Sequence, residues 1–195
     1  MRSLRGEVTE SGCRNPELNI FYCISNGVEY IMRQPRPGDE EQQKNAWDAL
    51  GEDAQKRFMR RDVDPKIYDM SLRCNRSIYK GKLPGWVPLS MEVDGDVVGL
   101  ADMRFERGNS NFIRAYKIDM YDTACNASIG VIPQNQGMGV GSCYSVVTDV
   151  IGRYFKMDWI AGSTYQNDGM YHIRKRDNWE VISMSNGMVH HRKRL

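Results

Sequence analysis

Apolar and polar positions alternate in short runs along most of the chain, and one long stretch keeps helical spacing instead. Residues 18–24 (LNIFYCI) and 28–33 (VEYIMR) are β-prone runs joined by Ser25-Asn26-Gly27, which predicts a hairpin. Pro35, Pro37 and Gly38 end the second run. From Asp39 to Arg61 the apolar positions Ala46, Trp47, Leu50, Ala54 and Phe58 predict two helices broken near Gly51. Residues 62–86 are turn-rich and carry no clear period. Runs at 87–93 and 97–106 around Asp94-Gly95-Asp96 predict a second hairpin, followed by strands over about 112–121 and 124–132. Val140, Cys143, Val147, Val150, Ile151 and Tyr154 then recur at three- and four-residue steps, the apolar face of a helix through Phe155. A strand at about 158–164, a helix at 168–176 and two short strands over 178–193 complete the chain.

With 195 residues and 22.5 kDa, this is the size of one domain. An apolar fraction of 41% excludes a disordered chain, and no run approaches the 18 or so apolar residues of a membrane span. The first residues lack a secretory h-region. Five cysteines (Cys13, Cys23, Cys74, Cys125, Cys143) form no CxxC pair, so reduced thiols and a cytoplasmic protein are expected, with no metal site. The formal charge of +2 conceals segregation. Residues 39–53 sum to −5, residues 56–82 to +6 and residues 173–195 to +4. The two basic segments, with Tyr68, Tyr79, Trp86, Tyr171 and Trp179 among or beside them, form a candidate footprint for nucleic acid.

The most chemical segment is Pro133-Gln134-Asn135-Gln136-Gly137-Met138-Gly139-Val140-Gly141-Ser142, between a strand and the long helix. Alternating glycines let successive N–H groups converge, and the helix adds its positive end, an arrangement suited to a pyrophosphate. A dinucleotide fingerprint would need glycine at 142 or 144, and a P-loop would need a lysine; neither is present. The pattern Val131-Ile132-Pro133 followed by Gln136-Gly137-Met138-Gly139-Val140-Gly141 resembles the acetyl-CoA signature of the GNAT acetyltransferase superfamily. Downstream, Asn167, Met170, Ile173, Arg174, Arg176, Asn178 and Trp179 occupy the places of a second motif of that family. There the family's tyrosine is replaced by Arg174 and its Gly-Phe by Asn178-Trp179.

The resemblance implies an α+β, GNAT-like acyl-CoA N-acyltransferase fold: a mixed sheet with a V-shaped split between two parallel central strands, 124–132 and 158–164. Residues 28–195 would form that domain and 1–27 an N-terminal arm. The resemblance also implies acetyl-CoA as co-substrate. Its pantetheine would bond to backbone at Ile129 and Val131, and its pyrophosphate would rest on Gln136, Gly137, Met138, Gly139, Val140, Gly141 and Ser142, with Asn167 near the thioester. A primary amine would attack the thioester directly. That needs a base for the ammonium, a donor for the oxyanion and help for the departing thiolate. The family's strand carboxylate falls at Ser128 or Asn126, so Asp122 is the candidate base. Tyr171, one turn before Arg174, is the candidate acid. The acceptor is left open among small amines, protein amines and an amine carried on nucleic acid, a non-catalytic CoA-binding module is the alternative, and monomer and homodimer are equally compatible.

Overall fold

The structure is a computed structural model that describes residues 7–15, 20–57, 85–108 and 110–195. The basic 62–86 stretch and Cys74 therefore lie almost wholly outside the described residues. Nine strands form one sheet: β1 (Val8–Asn15), β2 (Ile20–Ser25), β3 (Val28–Arg33), β4 (Trp86–Val93), β5 (Asp96–Arg107), β6 (Thr123–Val131), β7 (Trp159–Tyr165), β8 (Glu180–Ser185) and β9 (Met188–Arg194). Their order is β1-β2-β3-β4-β5-β6-β7-β9-β8. Every neighbouring pair is antiparallel except β6 and β7, which run parallel. Among the described residues five helices flank the sheet: α1 (Glu40–Ala49), α2 (Glu52–Arg57), α3 (Asn111–Ala115), α4 (Val140–Tyr154) and α5 (Gly169–Arg176).

The apolar stripe foreseen for the long helix is the inner face of α4. Val140, Cys143, Val147 and Ile151 are buried with Tyr144 against Phe21, Leu89, Met103, Cys125 and Ile160 of the sheet. On the opposite face α1 buries Ala46, Trp47 and Leu50 against Leu100 and Ile132. A Cβ on Gly130 would come within 3.0 Å of Leu50, so glycine there lets α1 lie directly on β6. Arg33 docks the start of α1: its guanidinium bonds Asp39 at 2.6 Å and Glu92 at 2.7 Å. That pairing holds the Asp39 carboxyl below its ordinary range. Glu92, more deeply buried, is pushed upward by desolvation.

Two expectations are corrected. Residues 112–121 are not a strand: Asn111–Ala115 is a helix capped by Ser110, whose Oγ accepts from the Ile113 N–H at 3.2 Å. Ile113 and Tyr116 then pack with Ala124 and Ala161 against the sheet. Within residues 1–27, β1 and β2 extend the same sheet and pack on α4. The cysteines are not all reduced thiols. Cys23 of β2 and Cys143 in the first turns of α4 form a disulfide with Cα atoms 5.6 Å apart, while Cys13 and Cys125 are free. A cross-link spanning 120 residues restricts the unfolded chain strongly. Reduction is expected to lower stability by about 2–5 kcal/mol. Thermal unfolding with and without reductant checks this, with Cys143→Ala insensitive to reductant.

Candidate functional site

β6 and β7 pair only at Ala124↔Trp159, Cys125↔Ile160 and Asn126↔Ala161. Beyond that point they diverge, leaving facing backbone edges from residue 127 to Val131 and from Gly162 to Tyr165 without a strand partner. Strand edges of this kind present N–H and C=O groups that must be satisfied by something. From Asn126 to Val131 the split is about 17 Å deep at roughly 3.3 Å per residue. Ile129 and Val131 stand along it and pack on the α4 side.

The glycine loop closes the wide end. Pro133–Asn135 makes one 3-10 turn, and the Gln136 side chain donates to the Val131 carbonyl at 3.2 Å. Gly137 and Gly139 have φ of +79° and +100°, conformations a side chain opposes. Gly139 is the N-cap of α4 and no side chain caps it. The N–H groups of the first helical turn therefore face outward with no intrahelical acceptor. Tyr30 anchors the loop by donating to the Met138 carbonyl at 2.7 Å. Gly141 lets α5 approach, since a Cβ there would meet Ile173 at 3.0 Å. Ser142 is buried and receives Arg176 Nη1 at 3.4 Å, which brings a guanidinium to the loop. Asn167 is exposed just past the end of β7, one residue before Asp168, the N-cap of α5. Loop, split and Asn167 thus lie around one opening, and Val140 is buried beneath it.

The structure places the two catalytic candidates at different points of the sheet. Asp122 precedes β6 at the closed end, where its carboxylate accepts from Trp159 Nε1 at 2.8 Å. That contact ties the paired ends of β6 and β7 together. Tyr171 projects from α5 against His172 and His191, with ring centroids 5.5 and 5.8 Å away.

Other groups line the split instead. Ser128 on β6 donates to Asp102, its cross-strand partner on β5, at 2.8 Å. The carboxylate absent from β6 is thus supplied, one strand over and at the same height, by an aspartate only 1% exposed. Continuing the β6–β7 register puts Ser163 opposite Ser128 across the opening. Ser163 is exposed, and its Oγ lies 2.7 Å from both the Tyr116 hydroxyl and His190 Nδ1. Burial raises the Tyr116 pKa, so this hydroxyl stays protonated. His190 is the cross-strand partner of Ser163. These residues escaped the sequence reading because each pair spans 26 or 27 positions and only sheet register joins them.

On the other face, His191 is buried with Nε2 3.0 Å from Thr164 Oγ1. Desolvation, Arg174 and His190 hold it neutral down to about 4. An unfolded histidine binds its proton near 6.5. The unfolded chain therefore binds more protons than the folded one between those values, and stability should fall as pH drops from about 6.5 to about 4. Denaturant titrations across that window check this, and His191→Gln should flatten that part of the curve.

Most bases of the tail are paired or buried in the fold. Arg192 pairs with Glu180, Lys193 with Asp149 and Arg176 with Asp177, while Arg174 is buried. Arg192 and Arg194 also lie over the Trp159 ring, at 4.7 and 5.4 Å.

No protein-family model and no curated protein matches the sequence. Solved structures do match. A GNAT-family acetyltransferase from Listeria monocytogenes superposes with a TM-score of 0.60 at 14% identity, covering 89% of this chain and 99% of that one. The GNAT domain of S. lividans PAT gives 0.57 at 15% identity over 87% and 93%. The chain has the GNAT fold. YncA, a putative acetyltransferase from Salmonella typhimurium solved with its cofactor acetyl-CoA, shares it at 0.52 and 18% identity, over 85% of this chain and 94% of that one. Within the GNAT fold the mixed sheet, its parallel split and the loop before α4 are accounted for together. None of the described helices is long and apolar enough to cross a membrane.

Proposed function

We propose that this chain is an acetyl-CoA-dependent N-acetyltransferase acting on a primary amine. The observation that carries this reading is the continuity of two unsatisfied surfaces. The outward N–H groups at Gly139 and the start of α4 suit a pyrophosphate, and the open edges of β6 and β7 suit the amides of an extended pantetheine. Gln136, Gly137, Met138, Gly139, Val140, Gly141 and Ser142 would hold the phosphates, with Arg176 adding charge. Ile129 and Val131 would bond the pantetheine arm, with Asn167 at the mouth. Bound there, the thioester supplies an activated acetyl group.

The amine enters on the α1 and α3 face, between Ser128 and Ser163. With the His190 proton on Nε2, Ser163 donates to Nδ1 and its Oγ accepts from the Tyr116 hydroxyl; both contacts are 2.7 Å. The remaining lone pair on Ser163 accepts a proton of the acceptor ammonium while its own passes to His190. Asp102, behind Ser128, favours positive charge at the opposite wall. This assigns proton removal to Ser163 and His190 in place of Asp122.

Isotopically labelled acetyl-CoA offered to polyamines, aminoglycosides, proteins and amine-bearing DNA and RNA tests the reading. Transfer of label to an amide identifies the acceptor. Failure to bind acetyl-CoA would overturn the function. Binding without transfer to any acceptor would favour the non-catalytic module.

A further inference from the structure

Arg174 takes the place of the family's tyrosine, and its surroundings are unusual for a cation. The side chain is 3% exposed and stacks on Trp179, 4.6 Å from the ring centroid. Its guanidinium lies flat on Gly162, where a Cβ would come within 2.5 Å of Nη2 and 3.1 Å of Cζ. Gly162 is the first β7 residue beyond the last β6–β7 pair, so the charge stands at the apex of the split. Nε and Nη1 have no hydrogen-bond partner among the described residues. The groups acting on this charge are Tyr144 from α4 and Tyr116 from α3, with neutral His191 beside Gly162 on β9; none is a carboxylate. The Tyr144 hydroxyl, Trp179 Nε1 and His191 Nδ1 are buried and unpaired as well.

A desolvated cation without a counter-charge is costly in the resting protein, and the cost is recovered when an anion arrives. Acetyl transfer creates one. We propose that Arg174 is a catalytic residue that holds the departing thiolate at the apex of the split, as a fixed cation and not as a proton donor. This rests on the donor reading above. An arm running back from the loop along Val131 and Ile129 ends after about 17 Å at the depth of Gly162. The amine nitrogen forms its bond to the carbonyl carbon, the C–S bond breaks, and its electron pair stays on sulfur facing Arg174. One ammonium proton leaves on the other face, through Ser163 to His190, before attack; the second, carried on nitrogen in the tetrahedral intermediate, is lost to solvent as that intermediate collapses. A charge unpaired before the reaction and paired as it proceeds lowers the barrier selectively.

The test needs no acceptor. Free CoA is bound to the wild-type protein and its thiolate ultraviolet absorbance is followed against pH, with affinity from calorimetry. The bound thiol should be half-ionised about one pH unit below free CoA, a tenfold gain. Arg174→Gln should abolish that gain while CoA stays bound, and Arg174→Lys should restore part of it. If Arg174→Gln does not fold by circular dichroism, the wild-type titration decides alone. A bound thiol ionising at or above the free value overturns the proposal. No CoA binding at all overturns the donor reading, and this inference with it.

Discussion

Gly139→Val is expected to abolish acetyl-CoA binding in a chain that still folds. Gly139 has φ of +100° and ψ of −7°, a left-handed conformation that glycine adopts freely and side-chain-bearing residues resist. A β-branched residue cannot hold that geometry, so the turn into α4 must change and its N–H groups must re-aim. Their convergence is the main affinity the loop offers a pyrophosphate, because none of Gln136 to Ser142 carries a charge and only Arg176 beside Ser142 adds one. Loss of two or three charge-assisted hydrogen bonds, each worth about 1.5–3 kcal/mol, lowers affinity by 10²-fold or more. The mutation lies at the surface beyond the core of α4, and the Cys23–Cys143 bridge still anchors the helix. Calorimetric titration with acetyl-CoA is the measurement, with thermal unfolding as control. Affinity within threefold of wild type would remove the loop from the site.

That loop was the most legible part of the chain, because its signal is local. Alternating glycines, the proline before them and the apolar steps from Val140 to Ile151 all lie within twenty residues. The parallel β6–β7 split was implied by the resemblance that the same stretch carries. Two elements were not legible, for different reasons. In α3 the run Phe112, Ile113, Tyr116 and Ile118 is rich in residues that favour strands, and a five-residue helix has too few turns to display a period. Its one local sign was Ser110, a capping residue ahead of the run. In β1, the sequence VTESGCRN has no alternation because an edge strand is half exposed on both faces.

Charge was misleading for a related reason. Arithmetic along the tail counts Arg174 and Lys193 as free cations. In the fold Arg174 is buried and Lys193 meets Asp149, 44 positions away. The acceptor side was invisible in the same way. Ser128 and Ser163 are unremarkable serines until register sets Asp102 behind one and His190 behind the other.

Ser163→Ala and His190→Gln are each expected to lower kcat by about 10²–10⁴-fold, the usual range for a positioned base, with little change in the KM for acetyl-CoA. An acceptor amine with a pKa near 10.4 is almost wholly protonated at neutral pH, and an ammonium has no lone pair with which to attack. If Ser163 and His190 remove that proton, losing either leaves only the small deprotonated fraction reactive. The residual rate should then climb about tenfold per pH unit toward the amine's own pKa, while the wild-type rate levels off earlier. The double variant should be no slower than the worse single one, because both lie on one path. Tyr116→Phe should cost less, since it removes only the hydroxyl that orients Ser163. A purely structural Ser163 predicts the opposite pattern: reduced stability, an unchanged pH profile and additive losses. A retained wild-type profile in His190→Gln would return the search for the base to Asp102, whose carboxylate stands one strand from the same cleft.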